Sequence, residues 1–153
     1  GKNDTSKKKI DPATLPLDPL IGALVYAKNG EDIYLGLIHD IFGRWTMTKG
    51  HLKDGESEHD GVVRKAAEEM GAKITAVKDP LGVNEYLAND PKQGKIRKRV
   101  SYFLAEAAFG DLKGEGGGID DAKWFRVPDV GHLNIYEDIL PIVTKGINIL
   151  LKK

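Results

Sequence analysis

The order of apolar and polar residues predicts a chain built mainly from β-strands, with one helix near its middle and one at its end. Apolar runs of strand length, alternating or continuous, mark six segments. The predicted strands are residues 20–27, 32–41, 44–48, 73–87, 95–109 and 123–127. The first two are joined around Asn29-Gly30, and an Asn-Gly pair between apolar runs is a strong hairpin signal. A polar loop, 88–94, joins the two long strands, and the glycine run 114–118 interrupts regular structure before the last one.

The first predicted helix runs from Ser57 to Met70. Ser57 is a good N-cap residue, Asp60 is a weaker form of its usual capping-box partner, and Gly71 favours a left-handed C-terminal stop. At helical spacing one face is apolar and predicted to pack: Val62, Val63, Ala66, Ala67 and Met70. The opposite face is charged: Glu58, Lys65, Glu68 and Glu69.

The second predicted helix covers residues 136–151, where apolar residues recur at helical intervals. Pro141 is compatible with this helix only near its first turn. Together the segments predict an α+β fold in which two helices surround a mixed β-sheet.

Length, composition and charge favour one domain that acts on a small ligand. A chain of 153 residues buries roughly two thirds of its unfolded surface on folding, enough for one core. Cysteine is absent, which excludes disulfides and thiol chemistry. The 23 basic and 23 acidic residues balance, and this argues against nucleic acid or a membrane surface as a partner. Oligomeric state is not indicated.

The first sixteen residues, 1–16, are lysine-rich and poor in apolar side chains, so we expect a flexible N-terminal arm ahead of a domain at 17–153. Apolar runs fall short of the roughly 20 residues that cross a bilayer. The lysine-rich start also lacks a following hydrophobic signal region. We therefore expect a cytoplasmic protein.

Acidic residues at fixed spacing are the main sign of chemistry. Glu68 and Glu69 share one helix face, and Glu56 lies just before the helix. Clustered carboxylates repel each other unless a cation neutralises them. Magnesium is a natural partner, because it binds oxygen ligands and substrate phosphates. The alternative is a solvated, charged helix face, but the flanking glycines Gly50 and Gly71 weigh against it.

The segment from Gly50 to Ala72 resembles the Nudix box, G-x5-E-x7-R-E-U-x-E-E-x-G-U, in which U is a bulky apolar residue. The matching residues are Gly50, Glu56, Arg64, Glu68, Glu69 and Gly71, with Lys65 in place of a glutamate and alanines at the apolar positions. Residues 43–51 are similar to the lead-in of Nudix members that act on dinucleoside polyphosphates and diphosphoinositol polyphosphates, with Thr48 replacing a proline. Residues 99–106 and 122–125 resemble strands of the same subgroup. The resemblance implies an α/β/α sandwich.

The same resemblance implies an activity and a ligand set. The activity is Mg²⁺-dependent hydrolysis of a nucleoside diphosphate linked to another group, here a dinucleoside polyphosphate, with Mn²⁺ as an alternative cation. Metal ions that bridge phosphate oxygens carry much of such catalysis. The implied metal ligands are Glu56, Glu68, Glu69 and the backbone carbonyl around Lys49. Arg64 is assigned to orienting the carboxylates.

Lys65 departs from the family pattern, in which an acid at this position ligates metal or activates water. A protonated lysine does neither. One explanation places the base in the loop before the last strand, where Glu115 is the first candidate and Asp120 and Asp121 are others. The alternative is a domain, natural or altered at position 65, that binds nucleotide without efficient turnover.

Five residues are candidate substrate contacts. Arg44, Lys49 and Arg99 offer positive charge to a polyphosphate, as a bidentate fork or a point charge. His51 follows the loop glycine, and Tyr102 offers a ring face for a nucleobase. The alternatives are a solvated basic surface and core packing. Because alternate strand residues point to opposite faces, at most half of the basic residues at 97–99 reach one site.

Overall fold

The computed structural model describes residues 11–152. The predicted N-terminal arm therefore lies largely outside the described residues. Its last part forms a short 3-10 turn, Pro12–Thr14, in which the side chain of Asp11 accepts a hydrogen bond from the backbone N–H of Ala13. The carbonyl of Pro16 then accepts a hydrogen bond from the N–H of Arg97 at 2.8 Å, which leads the chain into the sheet.

Seven strands and two α-helices are formed within the described residues. The strands are β1 (Leu17–Asn29), β2 (Asp32–Asp40), β3 (Trp45–Thr46), β4 (Thr48–Gly50), β5 (Ile74–Asp90), β6 (Gly94–Ala107) and β7 (Ile119–Arg126). The helices are α1 (Glu58–Met70), between β4 and β5, and α2 (Leu140–Leu151), at the end. Short 3-10 turns at Val127–His132 and Glu137–Ile139 precede α2.

The sheet is mixed, as the sequence predicted. Its main path runs β3-β2-β1-β6-β5, with β4 paired to β1 and β7 paired to β2. The β1–β6 pairing is parallel and the other strand pairs are antiparallel. The predicted hairpin at Asn29-Gly30 is confirmed, because Asn29 pairs with Asp32 and Gly30 has a φ of +62°.

The structure differs from the sequence expectation around residues 44–48 and 88–94. The single strand predicted over 44–48 is two short strands, because Trp45–Thr46 pairs with β2 whereas Thr48–Gly50 pairs with β1. The polar loop predicted over 88–94 is mostly strand. Residues 88–90 continue the β5–β6 ladder to the pair Asp90–Gly94, since backbone pairing does not require apolar side chains.

The helices cover opposite faces of the sheet. On one face Val62, Ala66 and Met70 of α1 pack in a buried cluster with Ile21 and Val25 of β1. The other face buries Leu24 with Ile142 and Val143 of α2, among other apolar residues. Because β1 alternates between the two clusters, it forms the shared centre of a three-layer sandwich. The predicted fold class is confirmed.

The apolar stripe of α1 is narrower than predicted. Val63 is 41% exposed, and Ala67 is also exposed. The buried positions are Gly61, Val62, Ala66 and Met70, and the last three pack against the sheet. The predicted caps are confirmed: Ser57 Oγ accepts from the N–H of Asp60 at 3.1 Å, and Gly71 has a φ of +68°.

The C-terminal helix begins later than predicted. Tyr136 precedes the 3-10 turn, and α2 starts at Leu140 with Pro141 in its first turn, where the missing N–H leaves no helical bond unmade. Neither helix of the described chain has the length and apolar character to span a bilayer.

Candidate functional site

Strand β4 brings the loop before α1 against the helix. Its residues pair with β1, with Lys49 opposite Gly22, and this fixes Thr48 and Lys49 beside the last turn of α1. Gly22 permits the close approach, because a Cβ there would lie 2.6 Å from both the carbonyl oxygen of Thr48 and the ring of Tyr102. The sheet therefore sets the position of the loop relative to the helix.

Glu69 is the acidic residue that this loop holds. Its Oε1 accepts a hydrogen bond from Thr48 Oγ1 at 2.5 Å and from the backbone N–H of Lys49 at 3.1 Å. Thr48 is only 1% exposed, so its hydroxyl is fixed by packing. Within residues 11–152, Oε2 of Glu69 accepts no hydrogen bond. This oxygen is available to a ligand.

Arg64 joins the other two acids of the motif. Its Nε donates to Glu56 Oε2 at 2.7 Å and its Nη2 to Glu56 Oε1 at 2.8 Å, a bidentate pair. Nη2 also donates to the carbonyl of His51 at 2.8 Å, and Nη1 donates to Glu68 Oε1 at 3.0 Å. Both carboxylate oxygens of Glu56 therefore bind Arg64, and this pair connects the loop before α1 to the helix.

This pairing dominates the titration of Glu56. The hydrogen bonds from Arg64, followed by the one from the backbone N–H of Lys53, lower the pKa of Glu56 to about 2. The hydrogen bond to Glu56 raises the pKa of Arg64 above its ordinary value. Both groups are therefore charged throughout the neutral range.

Lys65 lies inside the same cluster. Its Nζ is 3.4 Å from Glu68 Oε1, and its side chain is only 21% exposed. The alkyl chain rests on Gly50, since a Cβ on that glycine would lie 2.2 Å from Lys65 Cε. Burial raises the pKa of Glu68, but the hydrogen bond from Arg64 and the charges of Arg64 and Lys65 outweigh it and leave the pKa below its ordinary value.

The donor chemistry of Glu68 and Glu69 fits a hard divalent cation. Each carboxylate uses Oε1 within the described chain and keeps Oε2 free of hydrogen bonds from residues 11–152. The arrangement is not a preformed cage. In the described part of the chain, no three acidic or histidine side chains converge on one point. A cation held by Glu68 and Glu69 would need further oxygen from the Lys49 carbonyl, the ligand or water.

The predicted base, Glu115, is close to Glu69 through its backbone. Its N–H donates to the Glu69 carbonyl at 2.9 Å, and Lys113 N–H donates to the Met70 carbonyl at 3.0 Å. These bonds seat the glycine-rich loop on the C-terminal end of α1. The Glu115 carboxylate is 57% exposed and lies 3.5 Å from Lys113 Nζ.

The two other acids considered for this role point elsewhere. Asp120 lies 2.6 Å from His39 Nδ1, and Asp121 lies 3.6 Å from Lys123 Nζ. Their contacts are to β2 and β7, whereas Glu115 alone of the three contacts α1 through its backbone in the described chain.

A cavity of about 300 Å³ adjoins Lys49 on the α2 side of the sheet. Its lining combines aromatic and polar side chains: Asp40, Phe42, Thr46, Lys49, Asn84, Tyr86, Tyr102, Tyr136, Asp138 and Ile139. Lys49 Nζ lies 5.1 Å from the centre of the Tyr86 ring, a cation–π distance. A larger groove of about 920 Å³ runs along α2 but shares no lining residue with this cavity.

A hydrogen-bond network around Asp40 fixes part of the cavity lining. Asp40 Oδ1 accepts from the N–H groups of Phe42 and Arg44, both at 3.0 Å, and Tyr136 donates its hydroxyl to Asp40 Oδ2. Burial, followed by that hydrogen bond, raises the pKa of Tyr136 to about 12. Arg44 places its guanidinium 4.8 Å from the Tyr136 ring centre. Phe42, 78% exposed, projects from this loop.

The structure separates the predicted substrate contacts into two groups. Lys49 and Tyr102 line the cavity, and Arg44 stacks beside it on Tyr136. His51 and Arg99 instead line a second cavity, also about 300 Å³. Arg99 and Tyr102 are three residues apart on β6 and so point to opposite faces of the sheet.

The side chains of the second group, His51 and Arg99, already have local acidic partners. His51 Nε2 lies 2.9 Å from both carboxylate oxygens of Asp18, and Arg99 Nε donates to Glu85 at 2.6 Å. The main-chain carbonyl of His51, not its ring, contacts the cluster through Arg64.

Several residues that line the cavity were not predicted from the sequence, because they lie outside the motif. Asp40, Asn84, Tyr136 and Asp138 come from three distant segments, and Asn84 donates to Asp138 at 3.0 Å. The one sequence signal was Phe42, an apolar residue in a turn between strands. The strand predicted over 32–41 ends just before Phe42, so the sequence analysis assigned this residue no role.

The sequence profile of the NUDIX domain matches residues 16–145 of this chain. This range includes the Glu69 cluster and every residue that lines the cavity beside Lys49. The chain belongs to the Nudix family.

Two curated relatives match part of the chain. An isopentenyl-diphosphate Δ-isomerase of Escherichia coli O7:K1 is 32% identical over 91 residues, which is 59% of this chain and 50% of the relative. The putative mutator protein MutT4 of Mycobacterium tuberculosis is 22% identical over 94 residues, 61% of this chain and 37% of the relative. The matches thus span half or less of the length of these relatives.

Solved structures share the fold over most of the chain. The NUDIX domain of Shewanella oneidensis NrtR, complexed with ADP ribose, superposes with a TM-score of 0.70 at 17% identity, covering 97% of this chain and 94% of that one. A C. elegans Ap4A hydrolase binary complex gives a TM-score of 0.67 at 20% identity, covering 88% and 98%. These likenesses establish the fold.

Proposed function

We propose that this domain binds a nucleoside diphosphate linked to a further group and hydrolyses it with the help of Mg²⁺ or Mn²⁺. Dinucleoside polyphosphates are the leading substrate class. The proposal is carried by one observation: Lys49 holds Glu69 through its N–H and lines the aromatic cavity with its side chain. The acidic cluster and a cavity suited to a nucleobase therefore meet at a single residue.

The cavity has the features that a nucleotide requires. Phe42, Tyr86 and Tyr136 offer ring faces for stacking with a base. Asn84 and Asp138 offer polar atoms to the edge of the base, and Lys49 offers positive charge to phosphate. Two structurally similar proteins have nucleotide ligands or substrates of this kind, ADP ribose and Ap4A.

The bound cation would be held by Glu68 and Glu69, with the Lys49 carbonyl as a further oxygen. When bound, it supplies positive charge that polarises the phosphate and lowers the pKa of water. Arg64 keeps Glu68 oriented, and Thr48 keeps Glu69 oriented. The Glu115 carboxylate is our candidate to accept the proton of the attacking water, because its loop is bonded to the Glu69 backbone.

A second candidate function is nucleotide binding without efficient turnover. It is favoured by Lys65, whose ammonium lies 3.4 Å from Glu68 where the family pattern has an acid. A lysine here offsets part of the negative charge that would attract a metal cation, and it provides no oxygen ligand. The two candidates share the ligand and differ in the chemical step.

A panel of dinucleoside polyphosphates, ADP ribose and nucleoside triphosphates tests the proposal, with Mg²⁺ or Mn²⁺ and with chromatographic detection of products. We expect mononucleotide release that Glu69→Gln abolishes and that Glu31→Gln, an exposed acid in the β1–β2 turn, leaves unchanged. Binding without release supports the second candidate. Absence of both binding and release for the whole panel contradicts the site assignment.

A further inference from the structure

Lys65 occupies a defined place among the acids of the motif. Its alkyl chain lies over Gly50, where the lack of a side chain makes room, and its Nζ lies beside Glu68. The side chain is about four-fifths covered, so this is a packed position and not a solvated one. The neighbouring Lys49 directs its own Nζ towards Tyr86 in the cavity.

The charge of the cluster depends strongly on this residue. Glu56, Glu68 and Glu69 carry three negative charges, and Arg64 and Lys65 carry two positive charges, which leaves one negative charge. A glutamate at position 65 would leave three. The two extra charges correspond to the charge of one divalent cation. A site with three excess negative charges repels a polyphosphate unless metal is present.

Lysine is chemically suited to take over part of the charge-neutralising role of the divalent cation. Its ammonium is a compact point charge with three donors, and lysine is a common phosphate ligand. Only Glu68, itself shared with Arg64, forms an ion pair with Lys65 in the described chain. An arriving phosphate oxygen can therefore share the ammonium without exposing an unpaired carboxylate.

We infer that Lys65 is a tethered cation that binds a phosphate oxygen of the ligand, so that nucleotide binding by this domain does not require a metal ion. The inference rests on the proposed function for the identity of the ligand. It extends that function by separating binding, which Lys65 supports, from hydrolysis, which still requires a divalent cation. Magnesium is then needed for turnover alone.

Calorimetric titration with a methylene-bridged analogue of ADP ribose, which resists hydrolysis, tests this inference. The wild-type chain and the variants Lys65→Met and Lys65→Glu are titrated in EDTA and in Mg²⁺. Lys145→Met is the matched control, because Lys145 is an exposed lysine on α2 outside the site. Circular dichroism and melting temperature check that each variant is folded.

We expect the wild-type affinity to change by less than about threefold when Mg²⁺ is replaced by EDTA. In EDTA, Lys65→Met is expected to bind the analogue at least about tenfold more weakly than wild type, because the variant lacks a charge-assisted contact to phosphate. Lys65→Glu should bind measurably only with Mg²⁺. Lys145→Met should behave as wild type.

A second measurement addresses the cation directly. Mn²⁺ binding, followed by electron paramagnetic resonance without nucleotide, should be at least about tenfold tighter in Lys65→Glu than in wild type, because an acid replaces a competing ammonium. Equal Mn²⁺ affinities would contradict the inference.

The outcomes separate the inference from the proposed function. If the wild type binds the analogue only in Mg²⁺, or if Lys65→Met binds as well as wild type in EDTA, the role of Lys65 is wrong while nucleotide binding stands. If no variant binds the analogue in either condition, the inference is overturned. The proposed function is overturned as well only if the whole substrate panel also shows neither binding nor release.

Discussion

Thr48 Oγ1 donates a hydrogen bond of 2.5 Å to Glu69 Oε1, and this bond links strand β4 to the last turn of α1. The threonine is fully buried, so its hydroxyl has no competing solvent. In this chain the residue before Lys49 therefore has a direct role in orienting the carboxylate.

Thr48→Val should reduce hydrolysis while preserving the fold. The substitution keeps the shape of the side chain and leaves the Lys49 N–H as the sole hydrogen-bond donor to Glu69 within the described chain. Loss of such a supporting contact typically lowers metal affinity or activity by about 10- to 100-fold. The measurements are kcat at saturating Mg²⁺ and the Mg²⁺ concentration for half-maximal rate. Thr144→Val, at an exposed site on α2, is the control; full activity in Thr48→Val would contradict the orienting role.

Gly50→Ala should displace Lys65 without unfolding the domain. The new Cβ would lie 2.2 Å from Lys65 Cε, and a flexible lysine can move away at little cost. We expect weaker nucleotide binding in EDTA, as in Lys65→Met, with a melting temperature close to wild type. Combining Gly50→Ala with Lys65→Met should then add nothing to the loss, because both act on one ammonium. Additive losses would show that Gly50 acts by another route.

Phe42→Ala should weaken nucleotide binding with little effect on stability. Phe42 is 78% exposed and lines the cavity, so its loss removes a stacking surface but no core contact. Base–aromatic stacking contributes about 1–3 kcal/mol. Calorimetry should show lower affinity for ADP ribose but unchanged affinity for inorganic pyrophosphate, which has no base. The neighbouring Ile41→Ala, exposed but outside the cavity lining, should bind both as wild type does.

The Glu56–Arg64 pair should make stability fall in acid. Glu56 has a pKa lowered from 4.5 to about 2, so its contribution is fully present above about pH 4.5 and is lost as pH falls towards 2. Melting temperatures of wild type and Glu56→Gln should differ most near neutrality and converge across that window. Glu31→Gln should track wild type throughout. A difference between wild type and Glu56→Gln that is independent of pH would show that the ionised carboxylate is not responsible.

Local sequence signals predicted the elements well because short-range physics decides them. Ser57 and Gly71 set the ends of α1 through backbone hydrogen bonds and a left-handed φ, and Asn29-Gly30 sets the hairpin. None of these depends on distant residues. Where the prediction failed, as at Val63, packing against a particular sheet decided the outcome, and periodicity alone does not identify which side of a helix meets it.

The motif singled out Glu56, Glu68 and Glu69 as candidates, but it did not predict what each side chain contacts. The sequence assigned roles to Glu56 and Arg64 only through the family resemblance. Their bidentate pair depends on how the loop before α1 folds back onto the helix. Arg99 and Tyr102 line different cavities because, three residues apart on β6, they point to opposite faces of the sheet. Which residues a side chain contacts depends on the face of the sheet to which it points, and that face is fixed only when the strands pair.

The sequence by itself determined the family, the order of the elements and the lysine at position 65, because these depend on residue identity and spacing. The tertiary structure alone decided that Lys65 lies on Gly50 beside Glu68, and that Asp40, Asn84 and Tyr136 share a cavity with Lys49. Apart from the pair Lys65–Glu68, these residues come from separate segments of the chain, and the pairing of strands and the packing of α1 on the sheet set the distances between them.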